Sequence, residues 1–420
     1  MKVLLITAFA PTPHNIGGPS ALTYYLAKYS KLKIDLVYYS KDSKKEIFYS
    51  NEMHDVFAEI IKLKKKIILA AILKLLDYFN IKHRFFGSSY TLIPSKRIIK
   101  KINNKKYDLI WIYPCTMQSW ERLIENNNIV LTAPDCSLLH FELVEKIYGL
   151  NKEARKLLSN NVNIKHLDRL KHQAFVRETK WSNSKTLIHV VGKDDKKRYD
   201  ELGAKEHCFY SPHPFYNCIN IKEPLNPEIQ KSTILITGEN QSIYIGDFLD
   251  RIVNLIIQNK GLINKYRFSF LGKNFDEVTN LLINEGFEVT SKSWVDNYEF
   301  EISNAQIQLF PIILGTGTKG KVLTALASGL LCLGTDFAFE NIEVSRQNII
   351  VINNEIDVIK ELNKIHLDKI HYSNLAHDAS IQVRNNHKPQ KAANLFWNEI
   401  SNYFEFPNVF NSDFLKLSDK

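Results

Sequence analysis

The sequence predicts an α/β protein of two domains, each built on a doubly wound parallel sheet, that face each other across a cleft. Short apolar runs alternate with helical patterns along most of the chain, which is typical of parallel sheets covered by helices. A proline-rich stretch interrupts this alternation near the middle. At 420 residues the chain is also long enough to bury two separate cores.

The first half opens with an apolar run that predicts a buried strand. Pro19 then stands at a position favoured for the first turn of a helix, and apolar residues recur after it at helical spacing. Further apolar runs, bounded by turn residues, predict the other strands of this half. The predicted strands are 3–9, 34–39, 109–113, 129–132 and 187–191.

The second half restarts the alternation after the proline-rich stretch, which we take as a linker over 213–232. We therefore predict an N-terminal domain over 1–212, a C-terminal domain over 233–388, and a final helix and tail over 389–420. In the second half the predicted strands are 233–237, 267–271, 287–290, 307–310 and 330–334, and the predicted helices are 247–258, 275–285 and 319–328.

Composition excludes several classes of protein. Hydrophobic residues make up 45% and charged residues 24%, the balance of a soluble globular protein. The opening MKVLLITAFA has the charge and apolar order of a secretion signal, but it is short and fits a first strand better. The five cysteines are scattered and form no CxxC pair, so neither a disulfide framework nor a zinc site is indicated. We expect a reducing, cytoplasmic compartment.

The net charge of +10 is concentrated in one segment. Residues 61–106 contain thirteen Lys or Arg and one acidic residue, Asp77. Such a basic insert predicts a local partner, and we expect an anionic membrane surface rather than nucleic acid. Four lysines precede the apolar run 67–73, which suits a helix lying on a membrane. A core helix with a solvated lysine face fits the same pattern equally well.

A glycine-rich loop, Gly315-Thr-Gly-Thr-Lys-Gly-Lys321, lies between a predicted strand and a predicted helix. Glycines allow the backbone to approach a ligand closely, and free amide groups at a helix N-terminus attract phosphate. Thr318 is a residue type that caps helices, and two lysines add positive charge. The loop therefore predicts a phosphate-binding site.

Two other interpretations of this loop remain open at this point. Its glycines match G-x-G-x-x-G, and Asp336 follows Gly315 by 21 residues, near the spacing of a ribose-binding acid in an NAD-dependent oxidoreductase. The loop also begins like an NTPase P-loop, but Val322 replaces the hydroxyl residue that would hold Mg²⁺. A tight turn with solvated lysines is the remaining alternative.

A longer set of ordered segments resembles glycosyltransferase family 4. Three segments in the second half resemble the donor-binding domain of that family. They are Trp294-Val-Asp, then Ile307-Gln-Leu-Phe-Pro, then the glycine loop with the residues that follow it to Gly329. Residues 335–340 continue the match, because the family usually has a threonine and later a glutamate there. The N-terminal strand followed by Gly17 and Gly18 is similar to the family's opening. The resemblance extends in order over most of the chain.

The resemblance implies the GT-B fold, two Rossmann-like domains, and transfer of a sugar from a nucleotide donor such as UDP- or GDP-sugar. It implies a glycan or lipid-linked hydroxyl acceptor, retention of anomeric configuration, and no cofactor or metal. The implied setting is bacterial surface polysaccharide or glycolipid synthesis, such as lipopolysaccharide or capsule, in the cytoplasm or at the inner membrane face. The family's two glutamates are replaced by Thr316 and Thr324, which also suggests a non-catalytic, nucleotide-sugar-binding subunit.

The candidate site residues follow from the loop and the resemblance. Asp135 ends a predicted strand, where a carboxylate can act as a general base or simply cap the next helix. The predicted catalytic residues are Asp135 and Lys319. The predicted donor-binding residues are Gly17, Gly18, Gly238, Gly315, Thr316, Gly317, Thr318, Lys319 and Thr324.

Overall fold

The computed structural model describes residues 1–13, 20–40, 46, 50–78, 92–148, 167–216, 218–221, 224–295 and 297–406. The chain divides into two compact units. Unit 1 comprises Met1–Asp135, Glu178–Tyr216 and Pro389–Lys420, and unit 2 comprises Cys136–Arg177 and Asn217–Lys388. The chain thus contributes to the two units in alternating stretches. The domain limits that we placed at residues 212, 232 and 388 stay a prediction.

Within the described residues, thirteen strands form two sheets in which all neighbouring strands are parallel. The sheet of unit 1 has the order β3-β2-β1-β4-β5-β6-β7, and the sheet of unit 2 has the order β10-β9-β8-β11-β12-β13. The strands are β1 (Lys2–Thr7), β2 (Lys33–Ser40), β3 (Phe57–Lys64), β4 (Leu109–Tyr113), β5 (Ile129–Ala133), β6 (Leu187–Val190), β7 (Cys208–Tyr210), β8 (Ser232–Glu239), β9 (Tyr266–Lys273), β10 (Val289–Lys292), β11 (Ile307–Phe310), β12 (Leu331–Gly334) and β13 (Ile350–Val351).

Helices connect the strands, as parallel sheets require. Helix α6 begins in unit 2 and ends in unit 1. The α-helices are α1 (Ser20–Lys28), α2 (Ser50–Val56), α3 (Ile67–Tyr78), α4 (Lys96–Asn104), α5 (Ser137–Tyr148), α6 (Leu167–Ser182), α7 (Lys193–Tyr199), α8 (Phe248–Gln258), α9 (Asp276–Asn284), α10 (Tyr298–Ser303), α11 (Gly320–Ser328), α12 (Asp336–Phe339), α13 (Glu355–Leu367), α14 (Lys369–Asn386) and α15 (Pro389–Tyr403).

The core of unit 1 is completed by the C-terminal helix. Trp397 of α15 is fully buried, and its indole Nε1 donates a hydrogen bond to the Leu26 carbonyl oxygen at 2.8 Å. The Trp111 ring of β4 lies 4.8 Å from Phe396 between centroids. The last helix within the described residues therefore packs on the first sheet, although more than 150 residues of unit 2 precede it.

The α/β class and the two doubly wound sheets are confirmed. The central strands are buried on both faces, which is why they appear in the sequence as continuous apolar runs. Three strands were not predicted: β3, β7 and β13, all at sheet edges. In β3 most side chains are partly or fully exposed, and lysines alternate with apolar residues, so the sequence lacks a buried-strand signal. Among the described residues, no helix is both long and apolar enough to cross a membrane.

Candidate functional site

The sheet of unit 2 has a topological switch point between β8 and β11. These strands are neighbours, with Ile234 in register with Ile307. After β8 the chain continues to β9 on one side, and after β11 it continues to β12 on the other. Ligands of doubly wound sheets bind outside the carboxyl ends of strands at such a reversal. Gly238 lies near the end of β8 and the glycine loop follows β11, so both predicted binding segments lie at this edge.

The glycine loop depends on its glycines for its conformation. Gly317 has φ 67°, in the left-handed region that other residues rarely adopt. A Cβ on Gly315 would lie 3.1 Å from the Lys319 Cε, so a side chain there would crowd the lysine. Helix α11 begins at Gly320, and Lys319 occupies the N-cap position. The expectation that Thr318 caps this helix is therefore wrong by one residue.

Lys319 is held on the loop by three oxygen acceptors. Its Nζ donates hydrogen bonds to the carbonyl oxygens of Gly315 at 3.2 Å and Gly317 at 3.0 Å, and it forms an ion pair with Glu340. The side chains of both ion-pair partners are largely buried, 12% and 19% exposed. The lysine that we predicted from its position is thus fixed in place, and a carboxylate compensates its charge.

Glu340 and Asn341 also contact the loop, although the sequence did not predict them as site residues. They follow the short helix α12, and Asn341 Nδ2 donates a hydrogen bond to the Gly317 carbonyl oxygen at 3.3 Å. The resemblance had included residues 335–340 without giving the glutamate a partner. Its contact with Lys319 joins residues 21 positions apart, which no local pattern reveals.

The two threonines that replace the family's glutamates differ in their surroundings. The Thr316 hydroxyl is shielded from solvent and has no hydrogen-bond partner among the described residues. A buried, unpartnered hydroxyl is costly, so a polar ligand that bonded to it would gain from its presence. Thr324 lies in the second turn of α11 and is 6% exposed.

Lys321 is the second cation of the loop. It lies in the first turn of α11, where its side chain still reaches solvent. Nearby protein removes part of the hydration of the ammonium group, and this desolvation lowers the pKa of Lys321. Among the described residues it has no ion-pair partner, in contrast to Lys319. An incoming anion would therefore find an uncompensated charge here.

His140 and Tyr244 lie beside the loop, although sequence analysis gave neither a role. The His140 ring centroid lies 6.0 Å from that of Tyr244. Tyr244 is adjacent to the loop, since its Cδ1 would lie 3.9 Å from a Cβ on Gly315. Burial and the charge of Lys319 lower the pKa of His140, so its imidazole is neutral at pH 7.

The predicted residues of the first half lie in unit 1 or outside the described residues. Asp135 follows the carboxyl end of β5 and is exposed, as a strand-end carboxylate is expected to be. Its charge contributes to a raised pKa of the buried Tyr113 phenol, after the larger effect of burial. Gly17 and Gly18 lie outside the described residues.

The dinucleotide interpretation fits the observed topology poorly. In that family of sites the glycine fingerprint follows the first strand of the fold, which corresponds to β8 in this sheet. The loop at Gly315 instead follows β11, the fourth strand of unit 2 in chain order. Asp336, the predicted ribose ligand of an NAD site, begins α12 and pairs with Arg346 on the surface.

Comparisons with known proteins identify relatives by structure only. No protein-family model and no curated protein sequence matches the chain. The solved structures that resemble it include Anabaena HepE in complex with UDP and glucose, with a TM-score of 0.64 and 11% identity over 96% of this chain and 100% of that one. Sucrose-phosphate synthase from Thermosynechococcus elongatus gives a TM-score of 0.62 and 10% identity over 97% of this chain and 100% of that one.

A third similar structure is the lipopolysaccharide outer core galactosyltransferase WaaB. It gives a TM-score of 0.56 and 10% identity over 95% of this chain and 100% of that one. At such low identity these likenesses show the fold and leave the chemistry to be argued from the site. The chain has the GT-B fold of these glycosyltransferases.

Proposed function

We propose that the protein is a glycosyltransferase that moves a sugar from a nucleoside-diphosphate donor to a hydroxyl group of a glycan or lipid-linked acceptor. The observation that supports this most directly is the glycine loop at the switch point of unit 2. There a helix N-terminus and Lys321, which has no ion-pair partner among the described residues, supply positive potential, and Lys319 is fixed beside them by its ion pair with Glu340. That arrangement suits a diphosphate, which gains negative charge as it leaves the sugar.

In the proposed reaction the acceptor oxygen forms a bond to the anomeric carbon on the face from which the nucleoside diphosphate departs. The bond between the anomeric carbon and the phosphate oxygen breaks, and its electron pair leaves with the diphosphate. Asp135 is proposed to accept the acceptor's proton. The configuration is retained, no enzyme nucleophile is needed, and catalysis rests on positioning and charge neutralisation.

The proposed donor is a UDP-sugar, because HepE was solved with UDP and glucose. Thermal shift measured with UDP, GDP, ADP and NAD tests this. Binding to the folded state raises the melting temperature by mass action, so UDP is expected to give the largest shift. Stabilisation by NAD and by none of the diphosphates would favour the oxidoreductase and overturn the proposal.

Sugar transfer itself separates an enzyme from a nucleotide-sugar-binding subunit. WaaB acts on lipopolysaccharide by its name, so we propose the same setting of bacterial surface polysaccharide or glycolipid, including capsule, for this chain. Lipid-linked and free glycan acceptors should be incubated with UDP-sugars, and the products analysed for mass and anomeric configuration. Tight donor binding without any transfer would leave the binding subunit as the better description.

The basic segment is proposed to hold the protein on the inner face of the cell membrane. Helix α3 exposes large apolar side chains that no described residue covers, with Ile67 76%, Ile68 80% and Leu75 57% exposed. These exposures argue against a core helix. Lysines precede the helix in the sequence, and those of α4 follow it in the described chain, so cations flank the apolar helix along the chain. Part of this charge is compensated, because Lys101 and Lys105 pair with Glu59.

Sedimentation with liposomes tests the membrane proposal. The protein should bind vesicles that contain anionic phospholipid and should bind neutral vesicles weakly, since both burial and charge contribute. Ile67→Ser with Ile68→Ser should reduce this binding. The matched control is Leu367→Ser with Ile370→Ser, an equally exposed apolar pair of unit 2 at 82% and 63%. Equal loss in both variants, or equal binding to both kinds of vesicle, would contradict the proposal.

A further inference from the structure

Helix α5 belongs to unit 2 although it follows the fifth strand of unit 1. Its buried residues Val144 and Tyr148 pack with Leu314, which directly precedes the glycine loop. The Tyr148 hydroxyl donates a hydrogen bond to the Ile243 carbonyl oxygen at 2.6 Å. Apolar packing and this bond fix α5 against the two segments that follow β8 and β11.

His140 lies in the first turn of this fixed helix. Its backbone N–H donates a hydrogen bond to the Cys136 carbonyl oxygen at 3.0 Å, and its ring lies against Tyr244. Tyr244 is itself anchored, because its carbonyl oxygen accepts a hydrogen bond from the Ile313 N–H at 2.8 Å. The imidazole therefore lies near Tyr244, whose backbone is bonded to the segment that leads into the loop.

The polar atoms of His140 are available to a ligand. Neither ring nitrogen forms a hydrogen bond within the part of the chain that the structure describes. The ring is partly buried and close enough to Lys319 to be affected by its charge, and both influences lower the pKa of His140. A neutral imidazole offers one donor and one acceptor. A sugar hydroxyl, which donates and accepts, matches this pair, whereas a phosphate only accepts and suits the lysines.

We propose that His140 is a donor-binding residue whose imidazole forms a hydrogen bond with a hydroxyl group of the transferred sugar. This inference rests on the proposed function, because it requires a nucleotide-sugar on the glycine loop. It divides the donor between two kinds of group. In this proposal Lys321 and the start of α11, with Lys319 fixed beside them, bind the diphosphate. His140 and the Thr316 hydroxyl, which has no hydrogen-bond partner among the described residues, bind uncharged hydroxyl groups.

Calorimetric titration of the full chain with matched ligands tests the proposal. The ligands are UDP with UDP-glucose and GDP with GDP-mannose, and the measured quantity is the affinity ratio between each nucleotide-sugar and its nucleotide. His140→Ala should lower the affinity for the nucleotide-sugar about threefold to tenfold, the value of one neutral hydrogen bond. The affinity for the nucleotide should stay within about twofold of the wild type, since the variant leaves the lysines in place.

Two further variants separate hydrogen bonding from packing. His140→Gln keeps a polar group and should recover part of the sugar affinity, whereas His140→Phe keeps only the ring contact with Tyr244 and should not. His377→Gln, at an exposed histidine of α14, is the control and should behave as the wild type. Full sugar affinity in His140→Phe, or equal losses for nucleotide and nucleotide-sugar in His140→Ala, would overturn the inference. A wild type that binds none of the four ligands would overturn the proposed function as well.

Discussion

The two sheets have the same strand order around their first strands but carry different side chains at the carboxyl ends. In each sheet the first strand lies inside, the next two lie on one side, and the fourth begins the other side. In unit 2 this edge presents glycines, a helix N-terminus and Lys319. In unit 1 the described residues near the corresponding strand ends include Asp135, His213 and Tyr216.

In doubly wound sheets the strand order decides where a ligand binds, and the residues at the strand ends decide which ligand it is. The difference therefore predicts different ligands for the two units. Unit 1 has a cluster of aromatic and hydroxyl-bearing side chains near these strand ends. The Tyr216 hydroxyl and His213 Nε2 are 2.9 Å apart, and Tyr216 stacks on Tyr25 with 5.6 Å between the ring centroids. Side chains that both donate and accept hydrogen bonds suit the hydroxyl-bearing acceptor of the proposed reaction, whereas the cations of unit 2 suit a diphosphate.

The largest expected effect concerns the dependence of unit 1 on the C-terminal helix. Trp397→Ala should lower the free energy of unfolding by about 3–5 kcal/mol, because it leaves a large cavity and an unpaired Leu26 carbonyl. Urea unfolding followed by circular dichroism measures this. Trp294→Ala, at a tryptophan of unit 2 that is 53% exposed, is the control and should change stability little. Similar losses of stability in both variants would contradict the expected dependence of unit 1 on α15.

The second prediction tests whether the charge of unit 2 drives catalysis. Lys319→Ala should reduce kcat about 100-fold, the scale of losing one group that stabilises the leaving charge. Steady-state kinetics of sugar transfer is the measurement. Lys260→Ala, which removes a lysine paired with Glu285 on the surface of unit 2, should leave kcat unchanged. A larger loss in Lys321→Ala than in Lys319→Ala would assign the main role to the unpaired lysine.

The third prediction concerns acid sensitivity in unit 1. His189 is fully buried between β5 and β7, within hydrogen-bond distance of Thr132 and Ser211. Burial and, to a smaller extent, His213 lower the pKa of His189 to about 3. The unfolded state takes up a proton on this histidine below pH about 6.5, whereas the folded state resists that protonation. Stability should therefore be full above that pH and should fall by about 1.4 kcal/mol per unit as pH decreases towards the folded pKa.

Unfolding free energies measured between pH 7 and pH 4.5 test this pH dependence. His189→Asn should have a shallower slope over this range, because the buried group no longer titrates. His54→Asn, at an exposed histidine of α2, should keep the wild-type slope. Parallel slopes for the wild type and His189→Asn would mean that the acid sensitivity of unit 1 arises elsewhere.

The smallest expected effect concerns Thr316. Thr316→Val removes a buried hydroxyl that has no hydrogen-bond partner in the described part of the chain, so it should raise stability by up to about 1 kcal/mol while weakening nucleotide-sugar binding a few-fold. Thr279→Val is the matched control, since Thr279 is buried but donates to the Asp276 carbonyl oxygen at 2.9 Å, and its loss should destabilise. Thermal unfolding with and without UDP-glucose gives both quantities. Destabilisation by Thr316→Val would show that the hydroxyl has a structural partner.

The sequence predicted the elements whose signals are local. The central strands are apolar on both faces, and helices with regular apolar spacing were found with limits within a few residues. Edge strands such as β3 were missed because exposure on one side removes the apolar run. The glycine loop was found because positive φ angles and close backbone approach restrict the residue type, and Gly317 shows that restriction directly.

By itself, the sequence determined the fold class, the existence of two sheets and the position of the glycine loop. Each of these depends on residues near one another in the chain, where periodicity and conformational preference act. The tertiary structure decided that Glu340 compensates Lys319, that α15 completes unit 1, and that α5 brings His140 beside the loop of unit 2. These contacts join residues from 21 to 371 positions apart. Their free energy comes from burial and charge pairing that exist only once the sheets have formed.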